Sequence, residues 1–204
     1  LRLTTGIATA ATALPLTMVL CDYLLYYPSI DDSVLGEQVM DNTVTLPRYT
    51  DGDGVQVIAV SVAGRTGGAR FYFTYTNSEG VSGRTSQICY QNNAAALGTL
   101  QNSGANNNAS AMPFVGLQNG DSGVRSIDSV FMLDADVGLM TLVLVKPLGT
   151  SVIREITAPA EKDYFLESGT VPRIYDDAYL SFLCLPQGTL AATALMGDIK
   201  TIFT

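Results

Sequence analysis

Proline stands at positions 15, 28, 47, 113, 147, 159, 172 and 186, and 19 glycines are scattered between them. A proline inside a helix removes a backbone donor and clashes with the preceding turn, so this spacing leaves little room for long helices. Between the breaks, apolar residues recur at every second position. Arg70-Phe71-Tyr72-Phe73-Thr74-Tyr75-Thr76 sets Phe71, Phe73 and Tyr75 on one face, the pattern of a half-buried strand. Asn77-Ser78-Glu79-Gly80 is turn chemistry, and Val81 to Tyr90 is expected to return antiparallel.

Other runs read the same way. Val55 to Val62 follows the turn Asp51-Gly52-Asp53-Gly54. Val124 to Leu133 leads across Asp134-Ala135-Asp136 into Leu139 to Val145, which Pro147 is expected to end. Ala178 to Leu185 and Ile199 to Phe203 read as closing strands. Leu16 to Tyr27 is apolar on every face and fits either a buried strand or a helix, because periodicity alone cannot separate the two. Many short strands with regular turn signals, no repeat and no linker predict an all-β chain. The expected fold is a single antiparallel β-sandwich of jelly-roll type, with residues 1–13 as an extended N-terminal arm and residues 14–204 as the sandwich domain. At 204 residues the chain is long enough to bury its own core without a disulfide or metal staple.

The N-terminal stretch Leu3 to Cys21 is uncharged, but five threonines, Gly6 and Pro15 dilute it, and its strongest apolar run follows Ala8-Thr9-Ala10 instead of preceding it. That order is wrong for a cleaved signal, and the run is too diluted for a membrane span. A soluble protein is expected. Cys21, Cys89 and Cys184 are an odd, widely spaced set in apolar surroundings, read as buried free thiols and not as a disulfide framework.

Charge narrows the function. Lys and Arg number 11 against 19 Asp and Glu, a net charge of −8. So acidic a chain makes a poor nucleic-acid binder, since phosphate contact needs clustered cations. Charged residues make up only 15 % of the chain, against about 25 % in typical globular proteins. Uncharged polar groups desolvate more cheaply than ions, which suits a surface packed against neighbours. Thr85 to Gly120 runs 36 positions without a charge and holds 11 Asn or Gln, and its middle, Gln101 to Ser110, reads as a long loop.

There is no histidine. No Ser-His-Asp or Cys-His catalytic unit, and no His-ligated zinc, haem or iron site, can form within this chain. The remaining motifs are weak. Asp51-Gly52-Asp53-Gly54 lacks the glycine and closing glutamate of a calcium loop, which fall here on Gln56 and Val62, and reads as a turn. Gly64-Arg65-Thr66-Gly67-Gly68-Ala69-Arg70 lacks the Gly-Lys-Ser/Thr end of a phosphate loop and reads as a hairpin connection, with its two arginines free to meet acidic neighbours as the minority reading. Asp121-Ser122-Gly123 matches the aspartic-protease tripeptide in letters only, and a tight turn accounts for it better. Asp31-Asp32 and Asp176-Asp177 are glycosidase candidates by residue type, but adjacent strand residues point to opposite faces, so neither pair is ready-made and solvated loop charge is the favoured reading. Asn108-Ala109-Ser110 is a formal glycosylation sequon. Ten tyrosines fit a sugar-binding face, a core edge or a subunit interface equally. No catalytic, cofactor-binding or metal-binding residue is assigned.

Four segments carry a resemblance. Leu20-Cys21-Asp22-Tyr23-Leu24-Leu25-Tyr26-Tyr27-Pro28 is similar to a segment of a family of tailed-bacteriophage virion structural proteins. So are Asp41-Asn42-Thr43 with Leu46-Pro47-Arg48-Tyr49-Thr50-Asp51-Gly52, then Gly120-Asp121-Ser122-Gly123-Val124-Arg125-Ser126-Ile127, and Leu144-Val145-Lys146-Pro147-Leu148. The resemblance implies a non-enzymatic virion protein, made in the host cytoplasm and placed on the capsid exterior as a cement or decoration protein. The implied partner is the major capsid protein, with self-association into a homo-oligomer, by analogy a trimer, and no role for nucleic acid, membrane or cofactor. The alternative is a tail-, neck- or fibre-associated receptor- or carbohydrate-binding β-module. The chain lacks the long spine helix of a tailed-phage major capsid protein.

Overall fold

The computed structural model describes residues 2–7, 13–91, 96–101, 113–168, 171–188 and 194–202. It is all-β, built from antiparallel sheets without a barrel. The strands are β1 (Arg2–Ile7), β2 (Leu16–Asp31), β3 (Gly36–Val39), β4 (Gln56–Ser61), β5 (Arg70–Asn77), β6 (Arg84–Thr85), β7 (Cys89–Tyr90), β8 (Leu100–Gln101), β9 (Val124–Met132), β10 (Leu139–Ile153), β11 (Ala160–Asp163), β12 (Leu180–Pro186) and β13 (Leu195–Lys200), with one short helix, α1 (Tyr164–Glu167).

The chain forms two compact units. One is Tyr23–Lys146; the other joins Leu1–Asp22 to Pro147–Thr204. The expected division into residues 1–13 and 14–204 is thus not the one that compactness draws.

In Tyr23–Lys146, β3-β9-β5-β6 form one sheet with β7 also on β5, while β4 pairs with β10 and β8. Both sets of strands turn apolar faces into one core. Phe71, Phe73 and Tyr75 of β5 meet Val57 and Ala59 of β4 and Met140, Leu142 and Leu144 of β10. The alternation read from β5 holds along its full length. On β9 the buried Ile127 and Val130 are three apart, which strict alternation forbids. A bulge explains this: Thr74 pairs with Ser129 but Tyr75 pairs with Ile127, leaving Asp128 as the extra residue.

In the other unit, β1 is the central strand of the sheet β11-β1-β13. Its Leu3 is fully buried against Leu20, Leu148 and Tyr164. The described part of the expected arm therefore folds onto the chain's own strands, and residues 8–12 lie outside the described ones. Asp163 caps α1 by accepting from Phe165 N and Leu166 N at 2.9 and 3.2 Å.

Several readings change in detail. Leu16 to Tyr27 is strand: β2 is buried on both faces from Val19 to Asp22, so the apolar run has no polar alternation to show. Pro147 does not end β10. It lies just past the β4 ladder, whose last pair is Val145 with Gln56, so its missing N–H costs no ladder bond. Val81 to Tyr90 returns antiparallel to β5 as the two short pieces β6 and β7. The last strand is Leu195–Lys200 and not Ile199 to Phe203; Phe203 is outside the described residues.

Candidate functional site

An open groove of about 600 Å³ lies within Tyr23–Lys146, between the end of β2 and β3 with its following turn. Local chemistry builds it. The Asp31 carboxylate accepts from Ser33 N and Oγ at 2.8 and 2.7 Å, turning the chain out of β2. Gly36 follows at φ +89°, a conformation that favours glycine. Gln38 then clamps β3 to the end of β2: its amide donates to Asp31 O at 2.8 Å and accepts from Asp31 N at 2.9 Å. Asp41 closes the far end by accepting from Thr43 N at 2.9 Å. Tyr27 is buried and its hydroxyl accepts from Ile127 N at 3.1 Å, while neighbouring Tyr26 turns out into the groove and is 56 % exposed. Val39 and Val44, also lining it, are 78 % and 60 % exposed.

The backbone of β3 is half used. Met40 N donates to Asp128 O at 3.0 Å, in register with the Gln38–Val130 and Gly36–Met132 pairs. In an antiparallel ladder the bonded positions alternate. The N–H and C=O groups of Glu37 and Val39 therefore point away from β9, and among the described residues no strand pairs with β3 on that side.

The singled-out motifs serve the fold. In Asp51-Gly52-Asp53-Gly54, both glycines have positive φ, and Asp51 caps Asp53 N at 3.1 Å. The segment from Gly64 to Arg70 links β4 to β5 in different sheets, so it is not a hairpin connection. Its arginines meet acids of this chain: Arg70 grips Asp134 at 2.6 and 2.8 Å, and Arg65 meets Asp32 at 2.9 Å. Asp32 is the clear correction to the solvated-charge reading. Both side chains of that pair are fully buried, and Gln91 Nε2 donates to Asp32 Oδ1 at 3.0 Å. Burial raises the Asp32 carboxyl above its ordinary value, opposed by Gln91 and Arg65. Asp31 stays outside, and Asp176 and Asp177 are exposed in a turn. The sequon at Asn108 is outside the described residues.

Asp121 is a hub. It accepts from Arg84 Nε and Nη2 at 3.0 Å each, Asn77 Nδ2 at 2.9 Å and the Tyr75 hydroxyl at 2.5 Å. These donors, Arg84 foremost, hold its carboxyl at about 2, below the ordinary 3.8. A lowered folded value means that the pairing stabilises fully above about pH 4 and is lost as pH falls through about 2. Asp121→Asn is expected to lower stability at neutral pH and to flatten its acid limb. Urea midpoints from pH 6 to 2 check this, and an unchanged slope would contradict it.

Tyr72 and Phe131 stack on each other across β5 and β9, 4.8 Å apart and 6° from parallel, so each covers one ring face of the other. Cys21 and Cys89 are buried thiols in no disulfide, both pushed up to about 12 mainly by burial; Cys184 is half-buried. Among the described residues no three His, Cys, Asp or Glu gather as a metal site, and no helix is long and apolar enough to cross a membrane. No family model, curated protein or solved structure matches the chain.

The groove escaped the sequence reading. Its signals are the outward Tyr26 beside buried Tyr27, and a four-residue strand opened by Gly36 that is too short to show a period.

Proposed function

We propose that this chain is a non-enzymatic virion structural protein, a capsid cement or decoration protein that binds the head lattice of a tailed phage as an oligomer, with a trimer favoured. In this reading the two sheets around the Phe71–Leu144 core belong to a jelly-roll sandwich. One observation carries it. Large apolar side chains, among them Leu35, Val39, Val44, Phe165, Leu166 and Met196, are each more than half exposed on a chain with only 15 % charged residues. Such surface is cheap to desolvate and gains by burial against a neighbour. Many weak contacts repeated over a lattice add through multivalency. The sequence resemblance points the same way.

The open groove with Tyr26 supports the second reading, a tail-, neck- or fibre-associated receptor- or carbohydrate-binding module. Copy number separates the two. Quantitative mass spectrometry of purified particles, referenced to the major capsid protein, is expected to give a count comparable to that protein. A handful of copies would move the chain to the tail or neck, and absence from particles would overturn the virion reading.

A further inference from the structure

The groove beside β3 combines three features that constrain what it binds. The first is a strand edge that no described strand covers: two N–H and two C=O groups, at Glu37 and Val39, are aimed away from β9. An exposed edge of this kind is a template for an added strand. β3 carries no proline or lysine that would blunt it. The second is apolar lining, from Leu25, Tyr26, Val39, Met40 and Val44. The third is charge of one sign. No Lys or Arg lines the groove, Asp41 lies in it, and Asp31 and Glu37 flank it. The two aspartates are held ionised: hydrogen bonds from Ser33 lower Asp31, and those from Thr43 lower Asp41.

We propose that β3 takes up an extended, cationic segment of a partner protein as an added strand, with alternate apolar side chains seated in the groove and Lys or Arg facing Asp31, Glu37 and Asp41. The inference rests on the adhesive reading above and names the partner chemistry of this site. A second copy of the chain is the poorer occupant, because at a net charge of −8 it brings further acid to an acidic rim.

The test uses the full chain, labelled with nitrogen-15, and an acetylated heptapeptide alternating lysine and valine. Amide shifts are expected to map to residues 25–44, with Glu37 and Val39 moving most. Affinity should fall with added salt. A peptide with glutamate in place of lysine should not bind. Val39→Pro removes one outward donor while leaving the β9 ladder intact and should weaken binding about tenfold. Glu37→Gln with Asp41→Asn keeps the turn cap on Thr43 and should weaken the salt dependence, with Asp31 left as the remaining acid, and an unchanged salt dependence would overturn the assignment of these acids. A thermal melt shows whether each variant folds, and the charge variant tests the proposal if Val39→Pro does not. Absence of shifts, shifts elsewhere, equal binding of the glutamate peptide, or full binding by a folded Val39→Pro would overturn the strand-addition proposal. Binding of the chain to purified phage heads is measured alongside. Heads that bind without peptide binding sink this inference and leave the adhesive reading standing. Peptide binding without head binding sinks the cement role and leaves the groove assignment intact.

Discussion

Asp32→Ala is expected to lower the unfolding free energy by about 3–5 kcal/mol, because it strands the Arg65 guanidinium in a fully buried site. The pair is a poor one to keep on energetic grounds. Arg65 Nη2 and Asp32 Oδ2 are 2.9 Å apart but not aligned as a hydrogen bond, and Nε and Nη1 of Arg65 and Oε1 of Gln91 have no hydrogen-bond partner among the described residues. Desolvation therefore weighs against both charges, raising the Asp32 carboxyl and lowering the Arg65 guanidinium from their ordinary values. Arg65→Met should cost a similar amount by leaving Asp32 unpaired. The double variant Asp32→Asn with Arg65→Met removes both charges and keeps an acceptor for Gln91 Nε2. It should recover most of the loss, giving a coupling energy above about 2 kcal/mol. Urea unfolding of the unsubstituted chain, Asp32→Asn, Arg65→Met and the double variant completes the cycle. Additive losses would show that the two side chains do not act as a buried pair.

Gly123→Ala is expected to cost about 3 kcal/mol or more, or to prevent folding, through overpacking against backbone. A Cβ there would overlap the Gly52 carbonyl oxygen and stand 2.8 Å from Gly54 N and 3.0 Å from Val55 N. Those atoms cannot retreat cheaply. Gly52 N donates to Tyr49 O at 2.7 Å, Val55 N to Gly52 O at 3.0 Å, and Ser78 N to Gly123 O at 3.0 Å. Gly64→Ala, where a Cβ meets nothing within 4 Å, is the matched control and should change stability by less than about 0.5 kcal/mol. Equal midpoints for the two variants in urea would show that the close approach at Gly123 is not maintained in solution.

Both predictions fall on residues that the sequence marks only as loop. Asp121-Ser122-Gly123 does open β9 as a turn, but its letters do not tell that two other turns close on it, through Ser122 to Asp53 and Ser78 and through Gly123 to Gly52. Asp32 and Asp31 are neighbours with the same side chain. One caps a turn in water and the other sits in the interior, where Gln91 and Arg65, both distant in sequence, meet it.

The sequence by itself determined the all-β class and most of the long strands. Alternation and proline spacing are local properties, and a pleated strand buries every second residue wherever it lies. The residues Phe71, Phe73 and Tyr75 needed no partner to be assigned to a core. What only the tertiary structure decided is non-local. The bulge at Asp128 exists because β9 must match β5, β10 runs through Pro147 because the β4 ladder has already ended there, and Leu16 to Tyr27 shows no alternation because β2 is buried on both faces from Val19 to Asp22. The groove belongs to the same class. An edge is the place where a partner is missing, and no window of sequence records which strand will be left without one.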